Sequence, residues 1–272
     1  MSIADLLKKA QDLRLRPEME VFLSYLLDCE RLDLVAYSER EIPVPKLSEL
    51  QKGWVAIQQG KPVSYLTNNK EFYGLDYYVD ERVLVPRGAT EKLVDLVLEK
   101  ASDGAKILEI GTGSGAISVA LKHTRPDLRV TAGEVSSDAL EVAKLNARRH
   151  DLDIKFVESD LLQSIPDDGH EILVANLPYI GEVEHHYISS NVEAHEPHVA
   201  LFGGHDGLRL YVDLFKQAKD RKFKWIMGEF GFTHGELMRE IAAEILPDYS
   251  YELHQDHEGL DRTFVLCYNA GK

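Results

Sequence analysis

The residues able to do chemistry fall in four short stretches of this chain. The first is Glu109-Ile-Gly-Thr-Gly-Ser-Gly115, a loop in which glycines 111, 113 and 115 alternate with Thr112 and Ser114. Glycine permits positive φ and lets a ligand lie against bare backbone, at the mouth of a helix whose first N–H groups lack internal partners. Such a loop seats a nucleotide. The second stretch ends in Glu134, 19 residues after Gly115, about where a doubly wound sheet places the acid that grips ribose hydroxyls. The third is Ser159-Asp160-Leu161, a loop positioned to cover an adenine edge, and the fourth is Asn176-Leu177-Pro178-Tyr179.

Gly111-x-Gly113-x-x-Ala116 also satisfies the dinucleotide fingerprint, with Ala in the third place. Glu109 separates the two readings. An acid two positions before the first glycine suits a cationic ligand better than a pyrophosphate. S-adenosylmethionine carries a sulfonium and an ammonium and no phosphate, so charge favours it. The plainer alternatives are a strand-end carboxylate at 109 that caps local backbone N–H groups, and a solvated one at 134.

At the fourth stretch, the Asn176 side chain offers a carbonyl acceptor, and Pro178 breaks the strand so that the Leu177 carbonyl loses its ladder partner. Two acceptors side by side can hold both hydrogens of one planar –NH₂, with the Tyr179 ring against its face. An amide or aromatic amine is a poor nucleophile because its lone pair is delocalised. Acceptors that orient the nitrogen toward a methyl donor stabilise the transition state more than the ground state. Taken alone, the tetrapeptide is a plain Asn-Pro turn. The glycine loop and Glu134 before it give it the chemical reading.

These residues need a frame, and the periodicity supplies one. Ile107 to Ile110 reads as a strand and Ile117, Ala120 and Leu121 as a helix face, so the glycine loop joins strand to helix. Further strands are expected at Val130–Val135, Ile154–Val157, Glu171–Asn176 and Lys224–Glu229, with a closing pair at Tyr251–Leu253 and Thr263–Cys267. Strands alternating with helices predict a mostly parallel α/β sheet, its ligand at the carboxyl ends near the switch in strand order. Glu109, Glu134, Asp160 and Asn176 all fall at such ends. Thr90 is expected to cap a helix with Leu93, Val94, Val97 and Leu98 on one face, and Ser136 or Ser137 to cap another.

Before this body, residues 1–62 read as a helical module, with Ile3, Leu6, Leu7 and Ala10 and then Val21, Phe22, Tyr25, Leu26 and Cys29 at helical spacing. Pro17 fits the first turn of the second helix. Residues 63–85 are predicted to be an extended, hairpin-like linker, leaving 86–272 as the catalytic domain.

Composition narrows the function. The chain has 272 residues with a formal charge of −15; residues 1–75 hold 10 Lys and Arg against 11 Asp and Glu, and the remainder 21 against 35. An acidic body repels phosphate backbones, so a protein substrate is expected and direct nucleic-acid binding is not. No apolar run approaches a membrane span, and Met1-Ser-Ile-Ala-Asp5 is not the start of a signal peptide, so a cytoplasmic location is expected. Cys29 and Cys267 lack a C-x-x-C partner and read as buried thiols. His185, His186, His195, His198 and His205 crowd one segment without any metal-ligand spacing, so no metal is expected, and Gly181–His205 reads as a lid over the substrate.

The chain resembles the class I S-adenosylmethionine-dependent methyltransferases, and specifically the glutamine N5-methyltransferases of bacterial peptide chain release factors. The resemblance covers nearly the whole chain. Beyond the glycine loop and the Asn176 tetrapeptide it rests on Glu71–Gly74, Val85-Pro-Arg87 with Thr90-Glu91, Glu196-Pro197, Ala200–Gly204, Asp206-Gly-Leu208, Gly228-Glu-Phe-Gly231 and Leu260-Asp-Arg262. It implies a seven-stranded, doubly wound Rossmann-like domain behind a small helical domain that helps recognise the release factor, and a role in translation termination. By resemblance, Glu109 and Gly111 to Gly115, Glu134, Asp160, Leu161 and Asn176 contact S-adenosyl-L-methionine, which leaves as S-adenosyl-L-homocysteine. Asn176, Leu177, Pro178 and Tyr179 hold the glutamine of a Gly-Gly-Gln motif, with Asn176, Pro178 and Tyr179 at the reacting amide.

Two departures stand out. The family usually has Asn-Pro-Pro-Tyr where this chain has Leu177, and Pro-Arg-Pro-Glu-Thr where it has Pro86-Arg-Gly-Ala-Thr90. Asn-Leu-Pro-Tyr also occurs in ribosomal-RNA adenine dimethyltransferases, whose glycine loop lies near the chain start and whose helical domain follows the catalytic one. A glutamine methyltransferase of a large-subunit ribosomal protein is a nearer alternative. A nicotinamide-dependent oxidoreductase would share the loop but leave Glu109 and the tetrapeptide without a role.

Overall fold

The computed structural model describes residues 1–182, 189–256 and 259–269. The chain forms two compact units, Met1–Asn69 with Ser189–His195, and Lys70–Ile188 with Glu196–Lys272.

The first unit is helical: α1 (Ile3–Asp12), α2 (Arg16–Leu27), α3 (Arg31–Ala36), α4 (Leu47–Gln58) and α5 (Val63–Thr67). Ser2 and Asp5 close a reciprocal capping box on α1, satisfying two otherwise orphaned N–H groups, and Pro17 sits in the first turn of α2. The core collects Ile3, Leu6, Leu7 and Ala10 from α1 with Met19, Phe22, Leu23 and Leu26 from α2. The buried face of α2 is therefore rotated from the predicted one: Tyr25 is 50% exposed and Val21 is outside the core, while Cys29, beyond the helix end, packs against it as expected. Residues 63–67 correct a second expectation. They form a helix rather than extended chain, because Pro62 fixes an entry that Thr67 closes by bonding back to the Val63 carbonyl at 3.2 Å.

The second unit begins with the hairpin β1 (Lys70–Phe72) and β2 (Leu75–Tyr77), so the extended part of the linker starts at Lys70. There follow α6 (Glu91–Lys100), β3 (Lys106–Ile110), α7 (Ala116–Thr124), β4 (Arg129–Glu134), α8 (Ser137–Arg149), β5 (Lys155–Glu158) and β6 (Ile172–Ala175). After α9 (Ser190–His195), which packs in the first unit, come α10 (Arg209–Ala218), β7 (Trp225–Glu229), α11 (Gly235–Ile245), β8 (Tyr249–Gln255) and β9 (Asp261–Tyr268). The seven strands form one sheet in the order β5-β4-β3-β6-β7-β9-β8, parallel except for the antiparallel β9 against β7 and β8. Strands buried on both faces need continuous apolar runs, which Ile172–Ala175 supplies at every position. The order reverses between β3 and β6, and the carboxyl ends of β3, β4, β6 and β7 converge there.

Candidate active site

A cavity of about 390 Å³ opens at that convergence, within the range of small-molecule sites. Its wall includes Glu109, Gly111, Thr112, Gly113 and Ser114 from the glycine loop, Glu134 from β4, Asp160 and Leu161 from the loop after β5, and Asn176, Leu177 and Pro178 after β6. Residues far apart in sequence thus share one wall. Gly115 and Tyr179 do not line it. Gly115 has φ +81°, and a Cβ there would press on the Ala143 backbone of α8 at 3.2 Å, so the loop and helix meet only through glycine.

The loop is fixed by acids and by one amide. Glu109, 1% exposed, accepts through Oε2 from the Thr112 hydroxyl at 2.7 Å, from the Ser118 N–H at 3.1 Å and from the Ser118 hydroxyl. Burial nevertheless dominates and pushes its pKa up to about 7, against the pull of those donors. Glu134 is buried rather than solvated. Its Oε2 accepts from the Gly113 N–H at 2.9 Å, and its Oε1 accepts from the N–H groups of Val135 at 2.9 Å and Ser136 at 3.0 Å. Asn146 of α8, wholly buried, donates to the Ser114 carbonyl at 2.8 Å and exchanges bonds with the Tyr78 backbone at 2.7 and 3.0 Å. Sequence reasoning passed over Asn146. Its signal is an amide on a helix face otherwise made of Ala139, Leu140, Val142, Ala143 and Ala147.

The second half of the site is built around Asn176. Its Nδ2 donates to the Thr90 hydroxyl oxygen at 3.1 Å, and its Oδ1 takes no hydrogen bond among the described residues. Thr90 does not cap α6 as expected, since its backbone is already helical and its side chain bonds no α6 N–H. Behind this pair, Glu229 at the end of β7 accepts through Oε1 from the Tyr179 hydroxyl at 3.2 Å. Burial raises the pKa of Glu229, opposed by Thr90, Tyr179, the charge of Arg262 and Asn176 in that order. The Tyr179 phenol is raised as well, mainly by burial and then by the Glu229 charge. Tyr179 thus turns its hydroxyl to Glu229 and its ring is not part of the cavity wall.

Leu177 meets its departure from the family pattern with a partner. A proline at 177 would have no N–H, whereas the buried Leu177 N–H must be satisfied. The Tyr211 hydroxyl of α10 accepts it at 3.4 Å and itself reaches the carbonyls of Ala175 at 3.0 Å and Glu229 at 2.5 Å. Behind the tetrapeptide, a Cβ at Gly207 would collide with the Tyr179 carbonyl oxygen, so this brace also requires glycine. Glu196, 3% exposed, clamps the cavity rim by accepting from the Arg87 guanidinium at 2.5 Å and the Val85 N–H at 3.1 Å. Its buried carboxylate was visible in sequence only as part of the Glu196-Pro197 resemblance.

The expected lid is divided. Residues 183–188, with His185 and His186, lie outside the described residues. His195 Nε2 lies 2.9 Å from the Gln59 carbonyl inside the first unit, and His198 packs on the Phe202 ring at 5.4 Å. Among the described residues no three His, Cys, Asp or Glu side chains come together as a metal site, and no helix is long and apolar enough to cross a membrane. Cys29 and Cys267 are half-buried free thiols.

Comparison with known proteins fits this architecture. Residues 88–195 match the family model of the Methyltransferase small domain, and residues 2–67 that of the PrmC N-terminal domain. The Release factor glutamine methyltransferase of Koribacter versatilis is 33% identical over 255 residues, covering 92% of this chain and 90% of that protein. The chain belongs to the release factor glutamine methyltransferase family. The protein of that name from Streptococcus pneumoniae is 38% identical over 209 residues, covering 76% of this chain and 75% of that one. Among solved structures, a Methyltransferase from Pyrococcus furiosus superposes with a TM-score of 0.56 at 18% identity, over 81% of this chain and 100% of that one. The hMettl16 catalytic domain in complex with MAT2A 3'UTR hairpin 6 gives 0.59 at 15% identity, over 79% and 82%. At such identities these two report the methyltransferase fold alone. The chain is therefore an α/β methyltransferase, with the seven-stranded sheet and helical N-terminal domain that the sequence predicted.

Proposed function

We propose that this methyltransferase moves a methyl group from S-adenosylmethionine to the side-chain amide nitrogen of the glutamine in a release factor's Gly-Gly-Gln motif. One observation carries the reading. The Asn176 amide has its nitrogen bonded to Thr90, so Oδ1 is the atom left to accept, and Leu177 lines the same cavity wall. With the Leu177 carbonyl as a second acceptor, the pair would match the two hydrogens of a primary amide.

The cofactor residues are consistent with the same reading. Glu109 and the glycine loop would hold the methionyl end, Glu134 the ribose hydroxyls, and Asp160 with Leu161 the adenine edge. A buried acid beneath the loop disfavours a pyrophosphate there, which argues against a nicotinamide dinucleotide. When bound, S-adenosylmethionine supplies a methyl carbon on an electron-poor sulfur. The chain's own residues do the remainder: Oδ1 and the Leu177 carbonyl hold the amide hydrogens and leave the nitrogen lone pair directed into the cavity. Amide conjugation weakens as the nitrogen pyramidalises, and the two acceptors grip its hydrogens more strongly at that stage. One of those protons leaves to water afterwards.

An adenine amine would satisfy the same acceptors. The acidic body, with 35 acids to 21 basic residues beyond position 75, favours a protein over RNA. In this reading the first unit helps recognise the release factor, and the enzyme works in the cytoplasm beside the translation machinery. The test is transfer of radiolabelled methyl from S-adenosylmethionine to four acceptors in parallel: release factor, its Gly-Gly-Ala variant, large-subunit ribosomal protein and ribosomal RNA. Label on the release factor, lost in the Gly-Gly-Ala variant, is expected. Label on RNA alone would assign Asn176 to an adenine and overturn the proposal.

A further inference from the structure

Asn146 stands inside α8, where an asparagine is a poor helix former, and its side chain is wholly buried. Enclosing an amide is costly unless its donors and its acceptor are met. Here all are met by backbone. Oδ1 accepts from the Tyr78 N–H at 2.7 Å, and Nδ2 donates to the carbonyls of Tyr78 at 3.0 Å and Ser114 at 2.8 Å, which uses both of its hydrogens. Turned over, the amide would set –NH₂ against the Tyr78 N–H and its oxygen against two carbonyls. The backbone therefore fixes its direction.

The two segments that it joins belong to different walls of the cavity, and Asn146 itself lines neither. Ser114 is on the glycine loop. One turn before Asn146 on the same face of α8, Ala143 closes on Gly115. Tyr78 also lies outside the cavity, directly after β2. Its segment reaches the wall on both sides, through Phe72 of the hairpin before it and through Arg82 to Thr90 after it. Thr90 in turn takes the Asn176 amide. The neighbours of Tyr78 are tied to the same place: the Tyr77 hydroxyl donates to the Ala116 carbonyl at 3.1 Å, and His150 Nε2 lies 2.9 Å from the Asp76 carbonyl.

We infer that Asn146 is a positioning residue that registers the cofactor wall of the cavity against the acceptor wall, and so sets the separation across which the methyl group passes. By holding the Ser114 carbonyl it fixes the Ser114–Gly115 peptide plane, whose N–H turns to the Thr112 carbonyl at 2.8 Å. By holding both polar groups of Tyr78 it anchors the chain that leads to Thr90. A displacement of about 1 Å between reacting groups can cost about a hundredfold in rate, so a joint of this kind acts on transfer as well as on stability. The inference rests on the reading of the glycine loop as the S-adenosylmethionine seat, and adds a residue that touches neither cofactor nor acceptor.

Asn146→Ala removes the joint and leaves α8 a better helix former. At saturating S-adenosylmethionine its kcat should fall about tenfold or more, read on whichever acceptor takes label, and S-adenosylhomocysteine should bind more weakly. Tyr249→Phe is the comparison. It deletes a bond to the Phe223 carbonyl at 2.7 Å on the edge strand β8, and should lower stability with kcat and affinity unchanged. A folded Asn146→Ala protein with kcat and affinity within about twofold of wild type would mean that the amide only stabilises the fold, and overturns the inference.

A second measurement needs no variant. Saturating S-adenosylhomocysteine should slow hydrogen exchange of the wild-type Tyr78 N–H more than that of the Tyr249 N–H, which bonds the Leu246 carbonyl in the same unit. Equal slowing reports only general stabilisation and also overturns the inference. S-adenosylhomocysteine that fails to bind the wild type defeats the cofactor reading instead. The joint is then read without ligand, since Asn146→Ala should quicken exchange at Tyr78 and Gly115 together, and a change at Tyr78 alone refutes it.

Discussion

Replacing Glu109 by glutamine should flatten the pH dependence of stability, by an amount that follows from burial. The carboxylate lies beneath the glycine loop, 1% exposed, and its pKa rises from 4.5 to about 7 because desolvation outweighs the donors Ser118 and Thr112. A raised native pKa means that the native state binds its proton more tightly than the unfolded chain does. The contribution of Glu109 is therefore fully present below about pH 4.5 and is lost as pH rises through about 7. The difference corresponds to about 3 kcal/mol, a few hundredfold (~300) in the folding equilibrium. The Glu109→Gln side chain keeps the shape and one acceptor for the Ser118 N–H but does not titrate. Denaturant unfolding from about pH 4.5 to about pH 8 would measure the effect, in a Trp54→Phe background where Trp225 at the start of β7 is the remaining one of two tryptophans. That fluorescence reports the unit that contains Glu109. The stability of the wild type relative to the Glu109→Gln variant should fall by about 3 kcal/mol across the range and level off near about pH 8. Parallel curves would refute the reasoning, since the carboxylate would then titrate alike in both states.

Three further outcomes follow from the site. Asn176→Ala should lower kcat about a hundredfold or more while S-adenosylhomocysteine affinity changes less, because the proposed acceptor for the amide hydrogens is lost; equal losses in kinetics and calorimetry would make Asn176 structural. Glu134→Ala should weaken S-adenosylhomocysteine about tenfold to a hundredfold with a smaller effect on kcat, since charged hydrogen bonds are worth about 1.5–3 kcal/mol. Unchanged calorimetric affinity would remove it from the ribose site. Tyr211→Phe deletes the hydroxyl that serves the Leu177 N–H and two carbonyls, and should cost about 1–3 kcal/mol in denaturation together with a loss of kcat. A variant as stable and active as wild type would show that Leu177 needs no such support.

Much of the site can be read before folding because its signals are local. A strand needs a continuous apolar run, and an acid or amide at its end, as at Glu109, Glu134 and Asn176, breaks a pattern that is otherwise forced by burial. The glycine loop is legible for the same reason: positive φ at 111, 113 and 115 excludes most other residues. Helix faces are less sharply written. In α2 the apolar residues run almost all the way round, so spacing alone placed Tyr25 inward, and only packing against α1 selected Met19 and Leu23.

What the chain's sequence determined by itself is most of the order of strands and helices, the glycine loop and the Asn-Leu-Pro-Tyr turn, because each follows from short-range sterics and periodicity. Tertiary structure alone decided who stands behind them. Thr90 serves Asn176 from 86 positions away and Asn146 ties the loop to Tyr78 across 68. Glu229 holds Tyr179 across 50. No periodicity encodes such pairs. They are set by which strand ends the sheet order brings together, and by the cost of leaving a polar group buried there without a partner.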